Sequence, residues 1–261
     1  MDSRLDPQLT QEYLDRIGVT TLRSPGPEFL SELQEQHLMS VPYENLGMHL
    51  GEPALLGDGA IDKVVRQRRG GGCQELNGSA LSSLLRELGF RITLLSAYMF
   101  NGGRPSFALC HPLIVVDCTY PWFVDVGLGV FGPRYPLRMD LAGPQHDPQG
   151  TFEFVAGPDG DTDLLRNGSP ILRIEPRPRA EKDFMPGFWW VWSSPESYHR
   201  THVYCTRLTE NGSLALRGDV LTRIEGTQKE WAALAESELA PAYEKYFGIT
   251  LERLPPLYRQ D

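Results

Sequence analysis

Cys73 stands at the end of a glycine run, in the stretch RRGGGCQELNG from Arg68 to Gly78. A cysteine attacks carbonyl carbon when a base sits beside it and a third group orients that base. Gly70, Gly71 and Gly72 allow backbone conformations closed to other residues and let a substrate come close. Leu76, Ala80, Leu81, Leu84, Leu85 and Leu88 form a wide apolar face ending at Gly89, which predicts a helix from about Gln74. Cys73 then lies at a helix N-terminus, where free N–H groups and the helix dipole favour a thiolate. Taken alone, a cysteine is more often a small buried hydrophobe.

The base has to come from six histidines. His37 lies on a helix of ordinary composition, and His146 in a long loop. His199 and His202 flank a strand start with no carboxylate nearby in sequence. His111 is different, because it opens the strand HPLIVVD and the next strand, WFVDVG, carries Asp125. A hairpin around Asp117 to Pro121 puts His111 and Asp125 at the same end of the pair. Cross-strand neighbours there lie within about 5.5 Å, close enough for the two side chains to bond. A strand-edge histidine and a turn aspartate are the plain readings of each residue; with Cys73 they make a Cys–His–Asp set.

The elements that must position these groups follow from periodicity. DPQLTQEYLDRIG and PGPEFLSELQEQHLM read as helices, with a short third over Asp62 to Arg69. After Gly89 the texture turns to strands: RITLLSAYMF, HPLIVVD, WFVDVG, TFEFV, DLL and ILRIE. Gly127 to Gly150 reads as one long loop. From Trp189 onward, HVYCTRL, SLALRG and VLTRIE suggest a small antiparallel sheet. TQKEWAALAESELAPAYEKYFG reads as an amphipathic helix broken at Pro241. The order predicts an α+β protein in three segments, 1–90, 91–187 and 188–261.

Totals narrow the chemistry. The 261 residues are 41% hydrophobic and 23% charged, with a formal charge of −9. That balance opposes nucleic acid as a partner, since phosphate backbones need clustered Lys and Arg. No apolar run approaches a membrane span, and the N-terminus lacks a basic start followed by an apolar stretch, so neither a membrane nor a signal peptide is expected. Cys73, Cys110, Cys118 and Cys205 show no CxxC spacing, which points to the reducing cytoplasm and to no metal site.

These segments together resemble the arylamine N-acetyltransferases and their amide-synthase relatives. RGGGCQELNG resembles the family's RGGxCxELN signature; HPLIVVD and FVDVGLG resemble the segments that carry its histidine and aspartate; VPYENLGMHLG resembles a third signature. The resemblance implies catalytic roles for Cys73, His111 and Asp125. It also implies that Glu44 supports Arg69 ahead of the glycines, and that Asn77 is a hydrogen-bonding residue beside the triad. The implied fold is an N-terminal helical bundle, a central β-barrel and a C-terminal α/β lid around a cysteine-protease-like core.

The implied chemistry is ping-pong acyl transfer with no permanently bound cofactor. Acetyl-CoA, or another acyl thioester, acylates Cys73, and an aromatic amine, hydrazine or N-hydroxyarylamine takes the acyl group. Gly72 and Leu128 stand where many members carry aromatics, and Phe188 and Trp192 lie where the acyl donor enters, so these four are candidate pocket residues. The altered pocket also fits an amide synthase that takes a long, polyketide-type acyl chain from an acyl carrier protein. A hydrolase would use the same triad with water, and a binding protein would have no need to keep all three residues.

Overall fold

A computed structural model of the chain describes residues 5–257. Helix α1 spans Pro7–Ile17; the Asp6 carboxylate accepts the Leu9 N–H at 2.7 Å, Pro7 presets the first turn, and Gly18 closes the helix at φ 78°. Helix α2 follows over Pro27–Ser40, then a two-residue strand β1 (Tyr43–Glu44), α3 (Leu46–Leu50) and α4 (Asp58–Val65). The helix α4 sits a few residues earlier than the expected Asp62 to Arg69. Gln74–Leu81 winds as a π-helix and continues as α5, Ser82–Glu87. Tyr13, Phe29, Leu33, Val64, Leu81 and Leu85 meet in the centre of this bundle.

The strands β2 (Arg91–Asn101), β3 (Arg104–Pro105), β4 (His111–Cys118) and β5 (Tyr120–Val124) come next. They are followed by β6 (Leu137–Arg138), β7 (Gln145–Asp147), β8 (Gly150–Ala156), β9 (Thr162–Arg166) and β10 (Ser169–Arg179). Their antiparallel order is β6-β5-β4-β2-β10-β9-β8-β7, with β3 paired to β2. The Gln145 side-chain amide joins the two end strands, accepting the Arg138 N–H at 2.9 Å and donating to its carbonyl at 2.8 Å. That side chain imitates a backbone rung and brings the barrel near closure. Leu113, Phe123, Leu128, Phe152, Leu164 and Leu172 fill the interior.

The last segment contains α6 (Met185–Ser193), α7 (Tyr198–Thr201), β11 (Tyr204–Thr209), β12 (Gly212–Arg217), β13 (Val220–Glu225), β14 (Gln228–Ala233) and α8 (Glu236–Ala242). Its sheet runs β1-β11-β12-β13-β14, so the bundle lends the lid its first strand. No helix among the described residues is long and apolar enough to cross a membrane.

Three expectations need correction. Only the second half of residues 227–248 is helical: β14 pairs with all six residues of β13 after a hairpin turn at Gly226, where φ is 57°. Pairing with an open sheet edge overrides the helical propensity of its alanines and glutamate. Pro241 lies inside α8, and the break comes after it, where the chain changes to a π-helix over Tyr243–Phe247. The stretch 127–150 is not one loop, since it contains β6, β7 and a 3-10 turn at Gly129–Phe131.

Candidate active site

The β4–β5 hairpin forms as expected, turning at Thr119 (φ 64°) and pairing Asp117 with Pro121. The strand β5 ends at Val124, one residue before Asp125, so Asp125 sits on the turn that follows. Its Oδ2 lies 2.6 Å from His111 Nε2, and both residues are fully buried. Its Oδ1 accepts the Asn77 amide and the Gly127 N–H, each at 2.8 Å. Asn77 also donates to the Pro112 carbonyl at 2.9 Å and accepts the Val126 N–H at 2.9 Å. One asparagine on the helix that follows Cys73 thus ties that helix to both strands. Gln34 of α2 accepts the Asp125 N–H at 3.2 Å, a contact the sequence did not signal.

Burial works against a charged imidazole at His111, but the Asp125 carboxylate and then Cys73 outweigh it and raise the His111 pKa well above its ordinary value. Asp125 acting on Nε2 directs Nδ1 to the remaining partner. Nδ1 is buried with no hydrogen bond. The Cys73 thiol instead donates to Gln74 Oε1 at 3.0 Å and, more weakly, to the Cys110 carbonyl at 3.6 Å.

Cys73 precedes the π-helix, as the sequence led us to expect, and two glycines make its position attainable. A Cβ on Gly70 would overlap the Pro42 carbonyl oxygen, and one on Gly127 would come within 2.7 Å of Cys73 Cα. Gly72 has no such constraint, since an added Cβ would meet nothing closer than 3.8 Å. Its N–H donates to Glu75 Oε2 at 2.8 Å.

Glu75 opens a buried charge network that sequence reading missed, although ELN lies in the quoted stretch. Lys63 of α4 donates to Glu75 Oε1 at 2.7 Å and lies 3.9 Å from Glu44 Oε1. Glu44 faces Arg69 at 3.6 Å, and Arg69 donates to Glu52 at 2.9 Å. The expected Glu44–Arg69 pair is therefore present, with Lys63 shared between two carboxylates. Burial would push the Glu44 carboxyl up, yet Lys63 and Arg69 hold it below the usual range. At Glu75 burial prevails over Lys63 and raises the pKa.

Of the expected pocket residues, Leu128 is buried in the barrel interior. Phe188 is buried and Trp192 half-buried on α6, with ring centroids 5.5 Å apart. Trp192 also approaches Gly47 of α3. Trp189 and Trp190 of the same helix are exposed. Among the described residues no cluster of three His, Cys, Asp or Glu side chains is arranged to hold a metal.

A model of the N-acetyltransferase family matches residues 28–255. The pineal gland isozyme NAT-3, an arylamine N-acetyltransferase of Gallus gallus, is 30% identical and aligns with 93% of this chain and 94% of its own. The solved arylamine N-acetyltransferase of Mycobacterium smegmatis superimposes with a TM-score of 0.83 at 28% identity, over 92% of each chain. That of Mycobacterium marinum in complex with CoA gives 0.83 at 25% identity, also over 92% of each. The chain therefore belongs to the arylamine N-acetyltransferase family, a family of acyl-transferring enzymes, over nearly its whole length.

Proposed function

We propose that this protein moves an acetyl group from acetyl-CoA through an acyl-cysteine on Cys73 to an arylamine, hydrazine or N-hydroxyarylamine. The observation that carries this reading is the buried 2.6 Å contact between His111 and Asp125 at the foot of the helix that Cys73 precedes. A charged His111 beside Cys73 favours attack by sulfur as thiolate and then protonates the departing CoA sulfur. The incoming amine gives its proton back to His111 as it attacks the thioester, so the cycle closes without net proton uptake. Asp125 fixes the imidazole; Asn77, Glu44 and Arg69 hold the surrounding turns.

In the division into 1–90, 91–187 and 188–261, one apolar cluster lies wholly within 91–187 and supports that segment, while the other two also draw residues from neighbouring segments, such as Leu94 and Leu208 in the bundle core and Leu46 and Leu50 in the lid core. The four free thiols support a reducing, cytoplasmic setting. Gly72 and Leu128, Phe188 and Trp192 are our candidates for the acceptor and donor sides of the pocket. The absence of a side chain at Gly72, where an added Cβ would meet only ordinary contacts at 3.8 Å, favours a second reading in which a carrier protein delivers a bulkier acyl chain.

Intact mass after mixing the protein with acetyl-CoA and no amine separates these readings, with Cys73→Ala as control. A single acetyl adduct on the native chain alone is the expected result. A folded protein with a titratable thiol and no adduct would shift the donor to a larger acyl thioester.

A further inference from the structure

Tyr43 of β1 and Tyr204 of β11 stack with ring centroids 5.4 Å apart and planes 16° from parallel. Tyr204 donates its hydroxyl to the Tyr43 oxygen at 3.4 Å, and His199 Nδ1 lies 2.6 Å from the Tyr204 oxygen. Burial, with the nearby His202 and His49, lowers the His199 pKa to about 4, so at neutral pH the ring is uncharged and carries one N–H. With that N–H on Nδ1, the chain has a direction. His199 donates to Tyr204, Tyr204 donates to Tyr43, and the Tyr43 proton is left to donate onward. Such chains polarise their last member.

The chain is held by a built clamp. Asn45, next to β1, donates to the His199 carbonyl at 2.9 Å and the His202 carbonyl at 2.6 Å, and accepts the Tyr204 N–H at 2.9 Å. The far end of the chain stands on the strand that runs beside the glycines leading to Cys73. Tyr43 bridges to Gly71, and the Glu44 N–H donates to the Gly71 carbonyl at 3.1 Å, two residues ahead of Cys73. One turn covers both groups: a Cβ on Gly129 would stand 3.0 Å from Tyr43 Cδ1, as one on Gly127 would stand 2.7 Å from Cys73. Burial raises the Tyr43 phenol, and after burial Cys73 acts on it most strongly, ahead of the bond from Tyr204. A phenol so placed stays protonated, so while its oxygen accepts from Tyr204 its own proton remains to donate.

We propose that the Tyr43 hydroxyl donates a hydrogen bond to the oxyanion that forms when Cys73 is acylated and deacylated, with Tyr204 and His199 as positioning residues that aim its proton. The proposal rests on the acyl-transfer reading above. When sulfur adds to the carbonyl carbon, the C=O pair moves to oxygen, which accepts the Tyr43 hydrogen bond without taking its proton. Collapse of the adduct reforms C=O and expels the leaving group, which for CoA sulfur takes its proton from His111. Donors preset at the position of developing charge commonly account for large fractions of an enzyme's rate.

The test is the acylation burst with p-nitrophenyl acetate, whose leaving group needs no proton from the protein, measured beside alkylation of Cys73 by iodoacetamide. Tyr43→Phe keeps the ring stack and removes the donor. We expect its burst rate to fall about ten- to a hundredfold with alkylation unchanged. Tyr204→Phe should lower the burst by a smaller factor, and the double variant should be no slower than Tyr43→Phe. A Tyr43→Phe burst as fast as the native one would overturn the proposal, as would losses that multiply in the double variant or alkylation that falls in step. If Tyr43→Phe does not fold, an undiminished Tyr204→Phe burst overturns the chain. A native protein that is alkylated but shows no burst would end the acetyl-transfer reading on which this proposal rests, and this proposal with it.

Discussion

His37 and His111 are both fully buried, yet they stand in opposite charge states. His37, on α2, shares a 2.9 Å hydrogen bond with the Tyr13 hydroxyl, and burial, with Arg16 as a lesser cause, lowers its pKa to about 3. His111 is equally removed from water, but Asp125 and Cys73 more than offset the burial and raise it. A phenol can stabilise a neutral ring; a carboxylate or thiolate strongly favours a charged one. Burial therefore says nothing by itself about whether a histidine does chemistry. Its partner decides, and the two sites can be made to exchange behaviour.

The largest expected effect comes from making His111 resemble His37. Asp125→Asn keeps the shape but removes the charge and can leave the ring in the wrong tautomer. We expect acyl transfer to fall by about 10³- to 10⁴-fold, and the His111 pKa, followed by NMR, to fall below its ordinary value. An imidazole that still titrates high in Asp125→Asn would show that Cys73, not Asp125, supports the charge.

Both histidines could be ranked from sequence because HPLIVVD and WFVDVG make a hairpin with one possible pairing, and Asp125 falls at its open end. The groups that complete the site were not legible. Gln34 and Lys63 reach it from helices 91 and 12 residues away from Asp125 and Glu75, and nothing in their own neighbourhoods marks them. Glu75 carries no such mark, since a carboxylate beside a glycine run does not announce a buried lysine. The fold was readable where period and turn agreed, as in α1, β2 and β4. It was misread at β14, where a residue pattern suited to a helix completes a sheet instead.

Next in size is the charge network below Cys73. Burial opposes the Lys63 charge, and Glu75 and Glu44 more than restore it. Lys63→Met leaves Glu75 buried without its cation, which costs about 3–5 kcal/mol of stability. Urea unfolding measures this, and adding Glu75→Gln should recover much of the loss, because the double variant has no unpaired charge at that contact. A double variant as unstable as Lys63→Met would mean that Lys63 packs rather than neutralises.

The histidines also tilt stability in opposite directions with pH. His37 is protonated more easily unfolded, near 6.5, than folded, near 3. Its contribution is full above pH 6.5 and is lost as pH falls towards 3, by roughly 2 kcal/mol at pH 5. His111, raised in the folded state, contributes fully below pH 6.5 and loses that contribution as pH rises through its folded pKa. Urea unfolding of His37→Gln from pH 7 to 4 should show a shallower acid decline than the native chain. An unchanged slope would place the acid lability elsewhere.

The smallest effect sharpens the comparison most. Tyr13→Phe removes the hydroxyl that bonds His37 Nε2 while keeping the ring contact, whose centroids are 5.9 Å apart. Losing one buried hydrogen bond costs about 1–3 kcal/mol when the other partner stays behind. The His37 pKa should nevertheless remain far below 6.5, because burial is its first cause and survives the change. NMR titration of His37 in Tyr13→Phe decides the point. A pKa that returns towards 6.5 would mean that the phenol, not the loss of water, keeps this histidine neutral, and the contrast with His111 would then rest on one hydrogen bond at each site.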